Sequence, residues 1–273
     1  MEKKILFLDL DGTLLNDRKE ITPGNRAAIE RAMGMGHQVV VTSGRPLQSA
    51  LLQARRLGLA GEGCYVIAYN GAVIYDCSQG REIFRRTLDN ESLYRVFDEA
   101  RRRNVHIQAY DADDTVVIER RCDPAVARRY CAGIELDFRV TEDIRTGLTA
   151  PPVKALMIDF QDHEPVADME RWVLANMGGQ ADCFFSSRYY LEVVPVGMSK
   201  GGAVQELCRV LDVPRENTVA VGDEANDVTM ILAAGMGVAM CNAVPEAKAA
   251  AGYVTERDNN HDGIAEVIER FLL

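Results

Sequence analysis

Short apolar segments alternate with helical patterns at both ends of the chain, and this alternation restricts the fold more than any other feature of the sequence. The segments are rich in Val and Ile and have the length of central strands in a parallel sheet. They lie at 5–8, 38–41, 65–68, 218–221 and 238–240. Strands that alternate with helices form βαβ units with right-handed crossovers. The sequence therefore predicts an α/β fold with a doubly wound parallel sheet.

Helix start signals fall between these segments. Thr22 followed by Pro23 predicts an N-cap and a first helical residue. Pro46 predicts the start of a second helix that ends near Leu57, and Ser199 predicts the N-cap of a third. These helices fit the connections that a doubly wound sheet requires.

The middle of the chain has a different pattern. Strand-like segments become more frequent, at 106–110, 115–119, 154–160, 181–187 and 189–195, with helical patterns near 90–103 and 164–176. This mixture predicts an inserted α+β domain with a mainly antiparallel sheet over residues 83–196. The core domain would then comprise 1–82 and 197–273. A length of 273 residues also favours two domains.

The charge of the chain argues against nucleic acid as a partner. The formal net charge is −10, and residues 83–196 are also acidic, with 15 Lys and Arg against 20 Asp and Glu. No stretch of about 18 apolar residues predicts a membrane span, and the first residues, MEKK, do not resemble a signal peptide. We therefore expect a cytoplasmic protein. The basic runs at 101–103 and 128–129 are expected to be solvated helix faces, with phosphate contact as the alternative.

The cysteines do not predict a disulfide or metal framework. Seven are present, an odd number, and none form a CxxC pair. They are expected to be reduced and mostly buried thiols.

Four polar stretches lie at predicted strand or helix ends. They are Asp9 and Asp11 after the first strand, Thr42-Ser43-Gly44-Arg45 after the second, Ser199-Lys200-Gly201 at a helix start, and the run from Gly222 to Asp227. Each stretch alone fits a turn or a helix cap equally well. Ligands of open α/β sheets bind outside the carboxyl ends of the strands, so the four together predict one site.

These stretches resemble the four motifs of the haloacid dehalogenase (HAD) superfamily. They read DLDGTL, TSGR, SKGG and GDEANDVTM, in the order of the family motifs DxDGT, Thr or Ser before Gly, a distant Lys, and GDxxND. Tyr69-Asn70-Gly71-Ala72 and GVAMCNAVPEAKAAAGYVT resemble two further family segments, although Cys241 stands where the family has Gly. The insertion is similar to a type IIB cap on a Rossmann-like core. This resemblance points to the Cof-like sugar-phosphatase branch.

The crowded carboxylates give a physical reason for a metal ion. Asp9 and Asp11, joined by Asp223 and Asp227, would raise one another's pKa unless a cation offset the repulsion. Mg²⁺ does so and prefers carboxylate, water and phosphate oxygens. Residues two apart in an extended chain point to the same side, so Asp9 and Asp11 can face one phosphorus atom. We expect Mg²⁺ to bind at these four residues.

The resemblance implies a Mg²⁺-dependent phosphatase that hydrolyses small phosphorylated metabolites, with sugar phosphates as the expected class, through an aspartyl-phosphate. It implies that Asp9 is the nucleophile and that Asp11 is the general acid and base. Asp11 would contact the metal only through its backbone carbonyl. Asp9 and Asp223 would ligate the metal, supported by Asp227 and Asn226.

The remaining motif residues are expected to bind the phosphate group. Ser43, the backbone N–H of Gly44 and Lys200 would hold its oxygens, where charge spreads in the transition state. Arg45 would either reach the substrate or brace the start of its helix.

Two other functions remain open at this stage. A phosphomutase would use the same core and return the phosphoryl group to a bound sugar, and a phosphometabolite sensor would bind without catalysis. The cap should set substrate specificity. His106, Tyr110, Arg188 and Tyr189 could contact the substrate, but a role in the buried core is the preferred interpretation for each.

Overall fold

The computed structural model describes residues 2–273. The strands are β1 (Ile5–Asp9), β2 (Gln38–Thr42), β3 (Cys64–Ala68), β4 (Val73–Asp76), β5 (Arg81–Arg85), β6 (Ile107–Tyr110), β7 (Val116–Glu119), β8 (Phe138–Thr141), β9 (Ala155–Ile158), β10 (Ala181–Ser187), β11 (Tyr190–Pro195), β12 (Thr218–Gly222), β13 (Met236–Ala239) and β14 (Tyr253–Val254). The helices are α1 (Pro23–Gly34), α2 (Leu47–Arg56), α3 (Asn90–Arg102), α4 (Pro124–Ile134), α5 (Ile144–Gly147), α6 (Glu164–Asn176), α7 (Lys200–Leu211), α8 (Val228–Ala233), α9 (Pro245–Ala250) and α10 (Gly263–Phe271). Short 3-10 turns lie at Tyr69–Gly71, Arg215–Asn217 and Ala225–Asp227.

The chain divides into two compact units. The core unit contains the residues up to Phe84 together with Ser199–Leu273, and the cap unit contains Arg85–Met198. Each boundary lies two residues beyond the one that the sequence predicts.

The sheet of the core unit has the order β14-β13-β12-β1-β2-β3-β4-β5. The central strand β1 pairs in parallel with both β2 and β12. From β1 the chain moves outward to β2 and β3 on one side, and it later returns through β12 and β13 on the other. This reversal of strand order is a topological switch point, where open α/β sheets bind ligands. The carboxyl ends of β1, β2 and β12 therefore lie side by side.

The predicted α/β fold with a doubly wound parallel sheet is confirmed. All five predicted core strands are present, with ends that differ by one or two residues. The strands β4 and β5 lie beside the expected domain boundary and were not predicted, and β5 has no fully buried residue. β4 pairs antiparallel with β3.

Apolar side chains of the sheet and of α7 pack together in the interior of the core unit. Phe7, Val40 and Ile67 of the central strands are buried in one cluster with Val204 and Leu207 of α7. Full burial of a large apolar side chain stabilises a fold by roughly 1.5–3 kcal/mol. This packing holds α7, and the motif at its start, against the sheet.

The predicted helix starts are largely as expected. Ser199 caps α7, since its side chain accepts a hydrogen bond of 3.0 Å from the backbone N–H of Gly202. Thr22 occupies the N-cap position of α1, but its hydroxyl donates to Asp262 instead of capping the helix. The helix α2 begins one residue after Pro46.

The cap unit is an α+β domain, as predicted. Its sheet has the order β10-β11-β9-β6-β7-β8, and its pairs are antiparallel except for β7 with β8. Leu93 and Phe97 of α3 and Val166 and Met169 of α6 pack on one face of this sheet. The short elements β8 and α5 were not predicted: β8 has no fully buried residue, and α5 is a single helical turn of four residues. The bounds of α4 were not predicted, although Asp123 caps it and so provides a recognisable start signal; Arg128 and Arg129 lie exposed on this helix, as expected.

The expectation of a buried role in the cap is wrong for two of the four residues concerned. Tyr110 is fully buried and His106 is half-buried, whereas Arg188 and Tyr189 are exposed. Arg188 and Tyr189 form the tight turn between β10 and β11, and such a turn faces solvent.

The structure also bears on two expectations from the sequence, which concern the cysteines and membrane-spanning segments. All seven cysteines are free thiols, but only Cys64, Cys122 and Cys131 are buried, so the expectation of mostly buried thiols was too strong. Within residues 2–273, no helix combines the length and the apolar character needed to cross a membrane.

Candidate active site

Three buried carboxylates converge at the switch point of the core sheet. Asp9 ends β1, Asp223 follows β12, and Asp227 ends the short turn after it. One carboxylate oxygen from each of them lies within 4.8 Å of the other two. The parallel register therefore brings together residues that are more than 200 positions apart in sequence.

Lys200 is enclosed by two of these carboxylates. Its Nζ donates to Asp9 Oδ1 at 2.7 Å and to Asp227 Oδ1 at 2.5 Å, and its side chain is 1% exposed. Burial alone would lower the pKa of Lys200, but Asp227 and Asp9 raise it above its ordinary value. The lysine is therefore charged and fixed in position by the start of α7.

The combined negative charge of the three carboxylates would exceed the single positive charge of Lys200. Burial raises the pKa of Asp9 well above its usual value, and Asp227 and Asp223 raise it further, while Lys200 opposes the shift. Burial also raises the pKa of Asp223 to about 7; the Thr13 hydroxyl opposes this shift, and Asp227 and Glu224 reinforce it. A second cation would relieve this repulsion. Three close, hard oxygen donors with excess negative charge thus fit a divalent cation such as Mg²⁺.

The Gly12-Thr13 turn fits tightly against Asp223. Gly12 has a φ of +83°, and a Cβ at this position would lie 2.3 Å from Asp223 Oδ2. The Thr13 hydroxyl donates to Asp223 Oδ1 at 2.6 Å. Thr13 was not among the predicted site residues. Its position directly after the turn glycine of the DxDGT motif is the signal that could have identified it.

The carboxylate of Asp11 lies outside the cluster and is held by two cations. Arg45 donates from Nε to Oδ2 at 3.1 Å and from Nη2 to Oδ1 at 3.2 Å, and Lys19 Nζ donates to Oδ1 at 2.7 Å. Burial alone would raise the pKa of Asp11, but Arg45 and Lys19 together lower it below its usual value. Arg45 also reaches Ser49 in the first turn of α2, at a longer 3.5 Å.

Lys19 was not predicted as a site residue. It has a left-handed backbone, with a φ of 61°, in a turn closed by the hydrogen bond from Asn16 N to Glu20 O at 2.9 Å. No sequence signal identifies this lysine, because its role depends on how the turn folds back toward Asp11.

Ser43 and Gly44 lie beside a second left-handed turn. Ser43 is buried after β2, and its Oγ accepts a hydrogen bond of 3.2 Å from Arg45 N. Asn70, with a φ of 54°, donates its backbone N–H to Ser43 O at 3.1 Å. A Cβ on Gly44 would lie 3.0 Å from the Asn70 amide. The small size of Gly44 therefore permits this close approach.

Asn226 and Asp227 organise the acidic loop. Asn226 Nδ2 donates to Asn70 Oδ1 at 3.0 Å, so this amide nitrogen contacts the Asn70 turn. Asp227 Oδ2 accepts from the backbone N–H groups of Asp223 and Glu224, each at 3.0 Å. Because its other oxygen binds Lys200, Asp227 supports both the loop and the lysine.

Comparisons with known proteins cover both units. The family model for haloacid dehalogenase-like hydrolases matches residues 6–268. The crystal structure of a haloacid dehalogenase-like hydrolase from Bacteroides thetaiotaomicron has a TM-score of 0.89 and 34% identity, and covers 98% of this chain and 99% of its own. The 5-amino-6-(5-phospho-D-ribitylamino)uracil phosphatase YitU of Bacillus subtilis is 28% identical over 289 residues, covering 100% of this chain and 99% of its own. A HAD subclass IIB sugar phosphatase has the same fold, with a TM-score of 0.80, 22% identity, and coverage of 99% and 100%.

Proposed function

Because the chain belongs to the haloacid dehalogenase-like hydrolase family, in its Cof-like branch, and is a phosphatase of small-molecule phosphate esters, we propose that it hydrolyses sugar phosphates with Mg²⁺ through a phosphorylated aspartate. The observation that carries this proposal is the buried cluster of Asp9, Asp223, Asp227 and Lys200. It combines a carboxylate nucleophile with a fixed cation at the switch point of the sheet.

Asp9 is the proposed nucleophile. Lys200 binds its Oδ1, and Oδ2 has no hydrogen-bond partner among the described residues. Oδ2 can therefore form the bond to phosphorus while the bond between phosphorus and the ester oxygen breaks. The charged Lys200 also favours the ionised form of Asp9 that this attack requires.

Asp9, Asp223 and Asp227 would hold the metal ion. When bound, Mg²⁺ supplies positive charge that offsets the carboxylates and the phosphate. Asp227 already accepts three hydrogen bonds, so its main proposed role is to keep Asp223 and Lys200 in place. Asn226 would support the same loop through Asn70. A contribution from the backbone carbonyl of Asp11 remains a prediction.

Asp11 is the proposed general acid and base. It would protonate the departing alcohol oxygen and later take a proton from the water that attacks the phosphoenzyme. Arg45 and Lys19 favour its ionised form, which is the form that takes the proton from water.

Ser43, the N–H of Gly44 and Lys200 are the proposed phosphate ligands. Ser43 and Lys200 are both buried in the core unit, and Lys200 carries the charge that phosphate oxygens require. Fixed donors of this kind stabilise the charge that develops during phosphoryl transfer. Arg45 is proposed to position Asp11 instead of bracing its helix, since its contacts to Asp11 are shorter than its contact to Ser49.

Trapping of the phosphoenzyme tests the mechanism. Asp11→Asn retains the nucleophile and should release a burst of p-nitrophenol from p-nitrophenyl phosphate, because this leaving group needs little protonation. Intact-protein mass spectrometry after rapid quench should show an added phosphate on Asp11→Asn and none on Asp9→Asn. Equal labelling of both variants would mean that Asp9 is not the nucleophile.

A separate assay tests the substrate class. The wild-type protein with Mg²⁺ would be assayed against sugar phosphates, pyridoxal phosphate, FMN and nucleotides. We expect the highest kcat/KM for a sugar phosphate. A higher value for FMN or a nucleotide would contradict the class while leaving the phosphoenzyme mechanism intact.

A further inference from the structure

A cleft of about 770 Å³ opens within the cap unit, at the end of the sheet where β6 begins and β7 and β9 end. The chain enters and leaves the unit at the other end of these strands, near Leu88 and Pro195. The volume is within the range of small-molecule sites in proteins, about 300–1,000 Å³.

Three arginine side chains lie in the walls of this cleft. Arg103, Arg121 and Arg129 line it, while Asp123 and Asp159 are the lining acids. Both acids are already engaged, since Asp123 accepts from the N–H of Ala125 and Asp159 accepts from two backbone N–H groups after β9. Arg103 is paired with Glu99 and Arg121 with Glu119, so Arg129 is the lining arginine that has no carboxylate partner among the described residues.

Two of the lining residues carry a buried nitrogen without a hydrogen-bond partner in the described chain. Arg121 is fixed by Glu119 Oε2 at 3.2 Å and by Val105 O at 3.1 Å, which leaves its Nη2 unpaired. His106 Nδ1 is also unpaired. Buried donors without an acceptor are rare in native proteins. Arg121 Nη2 is therefore a buried donor without an acceptor among the described residues, whereas His106 Nε2 faces the Gln108 oxygen, which leaves Nδ1 of the neutral ring as an acceptor.

Arg129 is held at the wall by an aromatic ring. Its guanidinium lies 3.9 Å above the centre of the Phe160 ring, and it forms no ion pair with any described residue. Stacking fixes the plane of the guanidinium and leaves its N–H edges available. These edges suit the oxygens of phosphate, which arginine binds with paired hydrogen bonds.

We propose that this cleft binds the phosphate group of a small metabolite, or free phosphate, at a site built from cap residues alone. Arg129 and Arg103 would contact the phosphate oxygens, with Arg121 behind them. The cleft contains no residue proposed for the chemistry, so binding there would not require turnover.

Calorimetric titration of the full-length protein in EDTA tests the site. One arm uses inorganic phosphate, and the other uses n-butylphosphonate, which cannot be hydrolysed. Arg129→Gln should bind one equivalent fewer than the wild type, because the cleft should lose at least about tenfold in affinity. Arg128→Gln is the matched control, since Arg128 is the exposed neighbour on α4 and does not line the cleft. It should bind like the wild type.

The two arms distinguish the ligands. Loss of one equivalent in both arms supports recognition of any phosphate-type group, and loss with inorganic phosphate alone restricts the cleft to free phosphate. An equal number of equivalents in the wild type and Arg129→Gln would overturn the proposal. NMR of the wild type provides a test without a variant: the Nε–Hε signals of Arg121 and Arg129 should shift with phosphate, and unchanged signals would also overturn it.

Discussion

Both units contain a lysine that is 1% exposed and paired with carboxylate, but the charges balance in only one of them. In the cap unit, Lys154 pairs with Glu192 at 2.6 Å, and Glu192 also accepts from the Ser186 hydroxyl. In the core unit, Lys200 faces Asp9 and Asp227, with Asp223 close by. In a balanced pair, the two buried charges offset each other. The excess of carboxylate around Lys200 is not offset, and this excess distinguishes the candidate active site from the structural pair.

Removal of divalent cations should have the largest effect on turnover, through the proposed metal site of the core unit. Turnover should fall to background in EDTA and return with Mg²⁺, because three carboxylates share one lysine. Mg²⁺ should also raise the Tm of the wild type, by ligand stabilisation, but not that of Asp223→Asn. Full turnover in chelator would contradict the proposed metal site.

Replacement of the core lysine should come next. Lys200→Met should lower kcat/KM by at least about 10³-fold, because it removes a fixed charge near both the nucleophile and the phosphate. The matched control is the double variant Lys154→Met with Glu192→Leu, which removes the balanced pair and should leave kcat/KM within a fewfold of the wild type. Comparable losses of kcat/KM in the two variants would contradict the proposed difference between the two lysines.

Disruption of the Lys154–Glu192 pair in the cap unit should instead lower the stability of the folded protein. Lys154→Met alone leaves Glu192 buried without its cation, and loss of one partner of a buried pair costs about 3–5 kcal/mol. Urea unfolding at pH 7 should show this loss, and the double variant should recover most of it. Failure of the double variant to recover would mean that the two side chains do not act as a pair.

Substitution of Arg45 tests Asp11, the carboxylate of the first motif that is outnumbered by cations. Because Arg45 is proposed to position Asp11, Arg45→Gln should slow the hydrolysis of an alkyl phosphate, which needs a proton donor, by about 10- to 10²-fold. Hydrolysis of p-nitrophenyl phosphate should slow less. Equal slowing of the two substrates would indicate a role in phosphate binding instead.

The sequence predicted the core unit better than the cap for a physical reason. Asp9, Ser43, Lys200 and Asp223 lie at strand and helix ends, and parallel pairing brings such ends together without further information. The contacts that were missed depend on side chains that turn back on the chain, as Lys19 does, or on close approach, as between Thr13 and Asp223. The cap cleft was missed because it joins ends of three strands that carry no motif.

Lys19 should give the smallest effect, and its sign follows from the pKa of Asp11. Arg45 and Lys19 lower this pKa in the folded state, so ionised Asp11 contributes stability above the unfolded pKa of about 4, and the contribution disappears as the pH falls through the folded value. Lys19 is 61% exposed, so solvent screening limits its share to about 1 kcal/mol or less. Lys19→Gln should therefore be slightly less stable than the wild type in urea at pH 7, and the difference should shrink at pH 3. Arg18→Gln, which alters an exposed neighbour paired only with Glu20, is the control and should show no change that depends on Asp11. If Lys19→Gln lost as much stability at pH 3 as at pH 7, the lysine would stabilise the turn through its backbone or packing and not through the charge of Asp11.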